Sequence, residues 1–187
     1  MPRAQTSLPP NPFRELRTMP QPAPLTALHD EIDHRVTTIR STHPDWPCAK
    51  GCGGCCQRLA DVPQLTATEW ALLREGLAAL PPAQLDRIET ALAALGPQPP
   101  KPVTCPLLDP ETQACLVYAQ RPVACRTYGF YSERVLGLYC TDIETRVADG
   151  SLADVVWGNH EAIEYRLQTL GERRPLTAWF AAMREER

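Results

Sequence analysis

Apolar residues recur every three or four positions along several stretches of the chain, which is the spacing of one buried face of an α-helix. The first stretch begins at Leu25 and predicts a helix that ends near Thr42. His43 and Pro44 stop this helix, because the residue before a proline is pushed out of the helical conformation. The predicted buried stripe consists of Leu25, Leu28, Ile32, Val36 and Ile39.

Two more helices are predicted before residue 100. Thr66 and Glu69 have the spacing of a capping box, in which each side chain accepts a hydrogen bond from the backbone of the other. The helix that follows carries Trp70, Leu72, Leu73, Leu77 and Leu80. The next helix starts at Pro81-Pro82, since proline suits a first helical turn, and Gly96-Pro97 ends it. Its stripe is Leu85, Ile88, Leu92 and Leu95, and residues 97–102 form a loop.

The middle of the chain has no long hydrophobic period. Over residues 103–125 the cysteines alternate with turn residues, so we expect only a short helical turn near residues 121–126. Over residues 127–139, aromatic and β-branched residues flank Ser132-Glu133-Arg134 and predict a small β-hairpin. The centre of the molecule is therefore expected to be irregular.

Helical spacing returns towards the C-terminus. Ser151 is a favoured N-cap residue and predicts a long helix that ends at Gly171. Its buried face would carry Leu152, Val156, Ile163, Leu167 and Leu170. A last short helix starts at Pro175 and buries Leu176, Trp179, Phe180 and Met183. The predicted fold class is mainly α, with a small irregular or β-hairpin centre.

The proline distribution sets the domain boundaries. Seven prolines fall within residues 1–24, a density that blocks both helices and sheet ladders. We interpret residues 1–24 as a disordered leader and residues 25–187 as a single domain whose motifs lie between about 45 and 142. Met19 is an alternative natural start of the protein.

Composition and charge exclude several classes of function. The 187 residues are 43% hydrophobic and carry a net charge of -3, as in ordinary globular proteins. There is no basic run and the sequence pI is about 5.8, which argues against a nucleic-acid partner. No apolar stretch approaches the roughly 20 residues that span a bilayer, and the N-terminus lacks the apolar segment of a signal peptide. We expect a cytoplasmic protein with no membrane partner.

Cysteine is the unusual component, with eight residues in the chain. In a reducing cytoplasm, thiols are kept from forming disulfides, so a disulfide framework is the weaker interpretation. Metal ligation is the stronger one, and it makes the predicted fold a metal-organised domain.

The most specific motif is Cys48-x3-Cys52-x2-Cys55-Cys56. Gaps of two to four residues let a tight loop turn its sulfurs towards one centre. Gly51, Gly53 and Gly54 give this loop backbone freedom, and their amides can point at sulfur.

The vicinal pair Cys55-Cys56 predicts more than one metal atom. Neighbouring side chains diverge in an extended chain, so the two thiolates would serve separate metals or one cluster of several metal atoms. The other cysteines are Cys105, Cys115, Cys125 and Cys140. The four thiolates of the motif and the four later ones would make two sites, or one four-thiolate site with accessory thiols. The alternative for Cys105, Cys115 and Cys140 is a buried thiol that packs as a small apolar group.

These motifs carry a family resemblance. The chain contains Cys48-x3-Cys52-x2-Cys55-Cys56, then Cys105-Pro106-Leu107-Leu108-Asp109, then Cys115-Leu116-Val117-Tyr118-x-x-Arg121-Pro122-x-x-Cys125-Arg126, and Cys140. Over about residues 45–142 this order resembles the YkgJ-type CxxxCxxCC family. That family is described as a zinc- or iron-chelating domain, and its members are often labelled iron-sulfur-cluster-containing proteins. The resemblance implies a metal site, and we predict all eight cysteines as its ligands.

Two arginines and four histidines are further candidates. Arg121 and Arg126 bracket Cys125, where a guanidinium would hydrogen-bond to sulfur and offset the charge of the site, or would pair with a local carboxylate. Pro122 would start the helical turn that directs Cys125 inward. We expect His29 and His34 at the surface, whereas His43 is five residues from Cys48. His160 is a further candidate ligand, and the carboxylates Asp142 and Glu144 are expected on a solvated face.

The identity of the metal has two interpretations. Four cysteines with gaps of two or three residues suit an iron-sulfur cluster such as 4Fe-4S, and the vicinal pair and the glycines favour it. Zinc usually binds two separated CxxC-like pairs, and a structural zinc module that mediates a protein interaction is the alternative. No sequence motif assigns a reaction, and no protein partner is identified.

Overall fold

The computed structural model describes residues 23–96, 99–134 and 136–185. The predicted leader of residues 1–24 lies outside these ranges except for its last two residues. The described chain is mainly helical, with two small β-sheets, which confirms the predicted fold class.

The helices predicted in the first half of the chain are confirmed. Helix α1 spans Pro24–Thr42, and after the short helix α2 (Gly54–Gln57) the chain forms strand β1 (Gln64–Thr66). Helix α3 (Ala67–Ala78) starts at the predicted capping box of Thr66 and Glu69. Helix α4 spans Pro82–Leu95, and Gly96 ends it with a positive φ of 61°.

The short elements predicted in the middle are also present. Helix α5 (Val123–Thr127) follows Pro122, as expected for a proline at a helix start. Strands β2 (Tyr131–Glu133) and β3 (Leu136–Gly137) pair antiparallel and form the predicted hairpin.

The single long helix predicted from Ser151 to Gly171 is wrong. Helix α6 (Thr141–Ala148) lies before this segment, strand β4 (Gly158–Asn159) interrupts it, and helix α7 covers only His160–Leu167. Ser151 closes α6 instead of opening a helix, because its hydroxyl donates to the Arg146 carbonyl at 3.0 Å.

The interruption at Gly158 has a packing cause. Strand β4 pairs parallel with β2, and the ring of Tyr131 occupies the space beside Gly158. A helix through this position would remove the pairing. Asn159 then starts α7, since its side chain accepts the Ala162 N–H at 3.2 Å.

The C-terminal helix is confirmed to within one residue. Strand β5 (Arg173–Pro175) pairs antiparallel with β1, and helix α8 spans Leu176–Glu185. Among the described helices, none is both long enough and apolar enough to cross a membrane.

Two hydrophobic cores organise these elements. The first core joins α1, α5, β2, α6 and α7, and its buried side chains include Leu28, Ile32, Val123, Ile143 and Ile163. The second core joins β1, α3, α4 and α8, and includes Leu65, Leu73, Ile88, Val103 and Leu176. Cysteines pack against both cores, which places the cysteine-rich segments where the two cores meet.

The contact between Gly158 and Tyr131 gives a test of the fold. A Cβ at residue 158 would lie 2.3 Å from Cε1 of the buried Tyr131 ring. We expect Gly158→Ala to lower the free energy of unfolding by roughly 1–3 kcal/mol, as overpacking of a core does. Urea unfolding followed by circular dichroism measures this change. Val156→Ala is the control, because the Val156 side chain is 68% exposed. Equal stability of both variants would contradict the described packing.

Candidate metal centre

The loop between α1 and α2 carries the first cysteines of the motif. Arg40, in the last turn of α1, donates from a guanidinium nitrogen to the Cys48 carbonyl oxygen at 2.7 Å. Gly51 has a φ of 94°, a conformation that favours glycine. Cys52 follows this turn and is exposed. The loop is thus fixed at its start by α1.

A second segment covers the end of the loop. A Cβ at Gly53 would lie 2.6 Å from Oε1 of Gln113 and 3.1 Å from its carbonyl oxygen. Gln113 also accepts a hydrogen bond from the side-chain amide of Gln57. Gly53 is therefore needed for the close approach of two chain segments, and Gly54, which has no atom within 4 Å of its Cβ position, is not.

The backbone of the vicinal pair Cys55-Cys56 is helical, whereas the sequence interpretation assumed an extended chain. Cys55 and Cys56 lie in α2, and their Sγ atoms are 3.9 Å apart. Two thiolates on one zinc ion with bonds of about 2.3 Å would be separated by a similar distance. Helical backbone thus brings the adjacent sulfurs together.

One group of thiols, the outer group, consists of Cys48, Cys52, Cys55 and Cys140. Burial, followed by the charges of Cys55, Cys52 and Cys140, raises the pKa of Cys48 to about 11, against the opposing charge of Arg40. Tyr128 lies beside the same group, since its carbonyl oxygen is 3.9 Å from Sγ of Cys48. Burial, followed by the charges of Cys55, Cys140 and Cys48, raises the pKa of its phenol. The loop and the start of α6 therefore bring these four thiols into one neighbourhood.

The inner group consists of Cys56, Cys105, Cys115 and Cys125. The Cys105 N–H donates to the Cys56 carbonyl at 2.7 Å, and Cys56, Cys105 and Cys115 all pack in or against the second core. Burial, followed by the charges of Cys115 and Cys55, raises the pKa of Cys125 to about 12. Burial raises the pKa of Cys105 as well, followed by the charge of Cys125. Cys55 interacts with both groups, so the vicinal pair lies between them.

The chemistry of this donor set fits a cation. Buried thiols near one another resist ionisation, because each thiolate loses hydration and repels the next. A bound metal supplies positive charge that reverses both effects, and a thiol ligand then loses its proton. Among the described residues, no set of three or more Cys, His, Asp or Glu side chains has the closed geometry of a metal site.

The two arginines around Cys125 differ in their surroundings. Arg121 stacks on the Tyr118 ring, with 3.5 Å between Cζ and the ring centroid, and its charge opposes the increase in the pKa of Cys125. Arg126 instead forms an ion pair at 2.9 Å with Asp33, which is 93 residues away in sequence and not the local carboxylate that was expected. Arg40 hydrogen-bonds to the Cys48 carbonyl oxygen, and its charge opposes the increase in the pKa of Cys48. The sequence did not indicate this role, because its only signal is that Arg40 lies eight residues before Cys48.

The histidines lie at other contacts. The prediction that His29 is a surface residue is wrong, because it is only 8% exposed. Burial, followed by the charge of Arg126, lowers the pKa of His29 to about 4. His34 is exposed, as predicted. His43 packs on Trp46 and lies 3.7 Å from Asp154, and His160 lies 3.7 Å from Glu164.

The cysteine-rich part of the chain matches a known family. A family model described as "CxxCxxCC: Putative zinc- or iron-chelating domain" matches residues 47–148. The chain belongs to this family. The match includes all eight cysteines and confirms the resemblance found in the sequence. No curated protein and no solved structure matches the chain.

The glycine contacts predict which loop position controls metal retention. Gly53→Ala would push against the backbone of Gln113 and displace the loop. We expect it to weaken metal binding roughly tenfold to a hundredfold, as changes around metal ligands commonly do. Metal remaining after a chelator challenge, measured by elemental analysis, reports the change. Gly54→Ala is the matched control and should retain metal as the wild type does. The same loss in both variants would contradict the assigned contact.

The raised pKa of Cys48 predicts slow alkylation of the metal-free protein. A thiol whose pKa rises from 9.0 to about 11 has about a hundredfold less thiolate at pH 8, and gains it only as the pH approaches 11. Mass spectrometry of chain treated with chelator and iodoacetamide should therefore show Cys48 modified far more slowly than the exposed Cys52. Equal rates at pH 8 would contradict the burial and the mutual repulsion described for Cys48.

Proposed function

We propose that this chain is an iron-sulfur protein whose outer group of thiols holds a cluster. One observation carries this proposal: a single tight loop supplies Cys48, Cys52 and Cys55, and Cys140 joins them from a distant part of the chain. Three closely spaced cysteines with a remote fourth is a ligand pattern of iron-sulfur proteins. The glycines of the loop leave room and amide groups close to the sulfurs.

The inner group is proposed as a second thiolate site. Its members come from four separate positions, Cys56, Cys105, Cys115 and Cys125, and Cys56 is joined to the outer group by the 3.9 Å contact with Cys55. The charge of Arg40 would offset the thiolate of Cys48 in the outer group, and that of Arg121 would offset the thiolate of Cys125 in the inner group. Tyr128, Arg40 and Arg121 would act on the centre without being its ligands.

A cluster in this position would supply a one-electron carrier or a structural crosslink. The chain's part is to hold the sulfurs, to remove water from them and to balance their charge. The first core removes water from the outer group in part, since Cys48 and Cys140 pack against it, whereas Cys52 stays exposed.

Zinc is the second candidate, favoured by one distance. The 3.9 Å between the sulfurs of Cys55 and Cys56 is close to the separation of two thiolates on one zinc ion. In that case the chain would be a structural zinc module that presents a surface to a protein partner.

Purification without oxygen distinguishes these functions. The iron-sulfur proposal predicts a brown protein with iron, acid-labile sulfide and a broad visible absorption. A colourless protein with stoichiometric zinc would support the module instead. Protein with no metal and with intact disulfides would contradict both.

Substitution of ligands gives the corresponding prediction on residues. Serine replaces a soft thiolate with a poorly ionised hydroxyl, so Cys52→Ser, Cys55→Ser and Cys125→Ser should each lower the metal content sharply, on the order of tenfold. They should also increase cleavage by protease in the centre of the chain, because metal binding and folding are coupled. His34→Ala, at an exposed position of α1, is the control. Wild-type metal content in Cys55→Ser would exclude the vicinal pair as a ligand.

A further inference from the structure

Glu69 has a position that its role in the capping box does not explain. Glu69 is 2% exposed and lies in the first turn of α3, next to the start of α5. Oε2 accepts hydrogen bonds from the Thr66 N–H at 2.8 Å and from the Thr66 hydroxyl at 2.9 Å, which completes the cap of α3. Oε1 is not used by that cap. It accepts the N–H of Val123, the first residue of α5, at 2.8 Å.

Helix α5 depends on this second bond. Its N-cap residue is Pro122, whose side chain has no acceptor for the free N–H groups at the helix start. Glu69 supplies the missing acceptor from another helix, across 54 residues of sequence. Because α5 has only five residues and Cys125 is its third, a change at its start moves the thiol directly.

We propose that Glu69 is the positioning residue of Cys125, because its one buried carboxylate caps α3 and α5 together and thereby fixes the inner-group thiol relative to the second core. This proposal rests on the proposed function, in which Cys125 is a ligand. Glu69 would act only through its capping bonds, which join it to Thr66 and Val123 and not to a sulfur ligand.

Alkylation of individual cysteines in the metal-loaded protein tests the proposal. In Glu69→Gln the amide can accept on one side only and presents N–H groups to the other, so either the cap of α3 or the bond to Val123 is lost. We expect Cys125 to be modified by iodoacetamide about tenfold faster than in the wild type, the change that about 1.4 kcal/mol produces. Cys48 and Cys52 should keep their wild-type rates. Peptide mass spectrometry measures each rate.

A second pair of variants changes the other end of the same bond. Val123→Pro removes the N–H that Glu69 accepts, at a first helical position that suits proline, and leaves the capping box of α3 intact. Val123→Ala removes buried methyl groups but keeps the N–H. We expect Val123→Pro to expose Cys125 as Glu69→Gln does, and Val123→Ala to expose it less. This pair keeps the test valid if Glu69→Gln does not fold.

A helix cap elsewhere provides the control for stability. Asn159→Ala removes the cap of α7, which carries no cysteine, and should lower stability without selective exposure of Cys125. Wild-type rates at Cys125 in both Glu69→Gln and Val123→Pro would overturn the proposal, as would equal exposure of all eight cysteines. Rapid alkylation of every cysteine in the wild type, unaffected by a chelator, would instead overturn the proposed metal function.

Discussion

Thiolates repel one another, and burial away from water disfavours their charge further. The protein places Cys48 and Cys105 where both effects act, against its two hydrophobic cores. The pKa increases at Cys48 and Cys125 express this constraint from the outer and the inner group. Cations bound by the sulfurs would relieve the repulsion within each group, so the folding of the centre and the binding of metal are expected to be coupled.

The two cores explain how so many short segments hold their positions. Helix α1 anchors the cysteine loop through Arg40 and buries Leu28 and Ile32 in the first core. Helix α3 anchors α5 through Glu69 and buries Leu73 in the second core. Each sulfur-bearing segment is therefore tied to a longer helix by a buried hydrogen bond or by packing, and not by its own secondary structure.

Features set by local sequence could be predicted. The apolar spacing of α1, the capping box of α3 and the prolines before α4 and α8 each act within a few residues. The break at Gly158 could not be predicted, because the apolar residues keep helical spacing across it and its cause is the distant Tyr131 ring. The same holds for the site. The motif predicted the cysteines, but the bond from Val123 to Glu69 and the ion pair of Arg126 with Asp33 join residues far apart in sequence.

Native mass spectrometry of the protein purified without oxygen tests the central claim most directly, because one spectrum reports the bound atoms and the state of the thiols. The account predicts a chain with reduced cysteines that carries iron and inorganic sulfide. It also predicts that removal of the metal releases the iron and the sulfide together and unfolds the centre of the protein. A metal-free chain whose mass is lowered by the hydrogens lost in disulfide formation would contradict it.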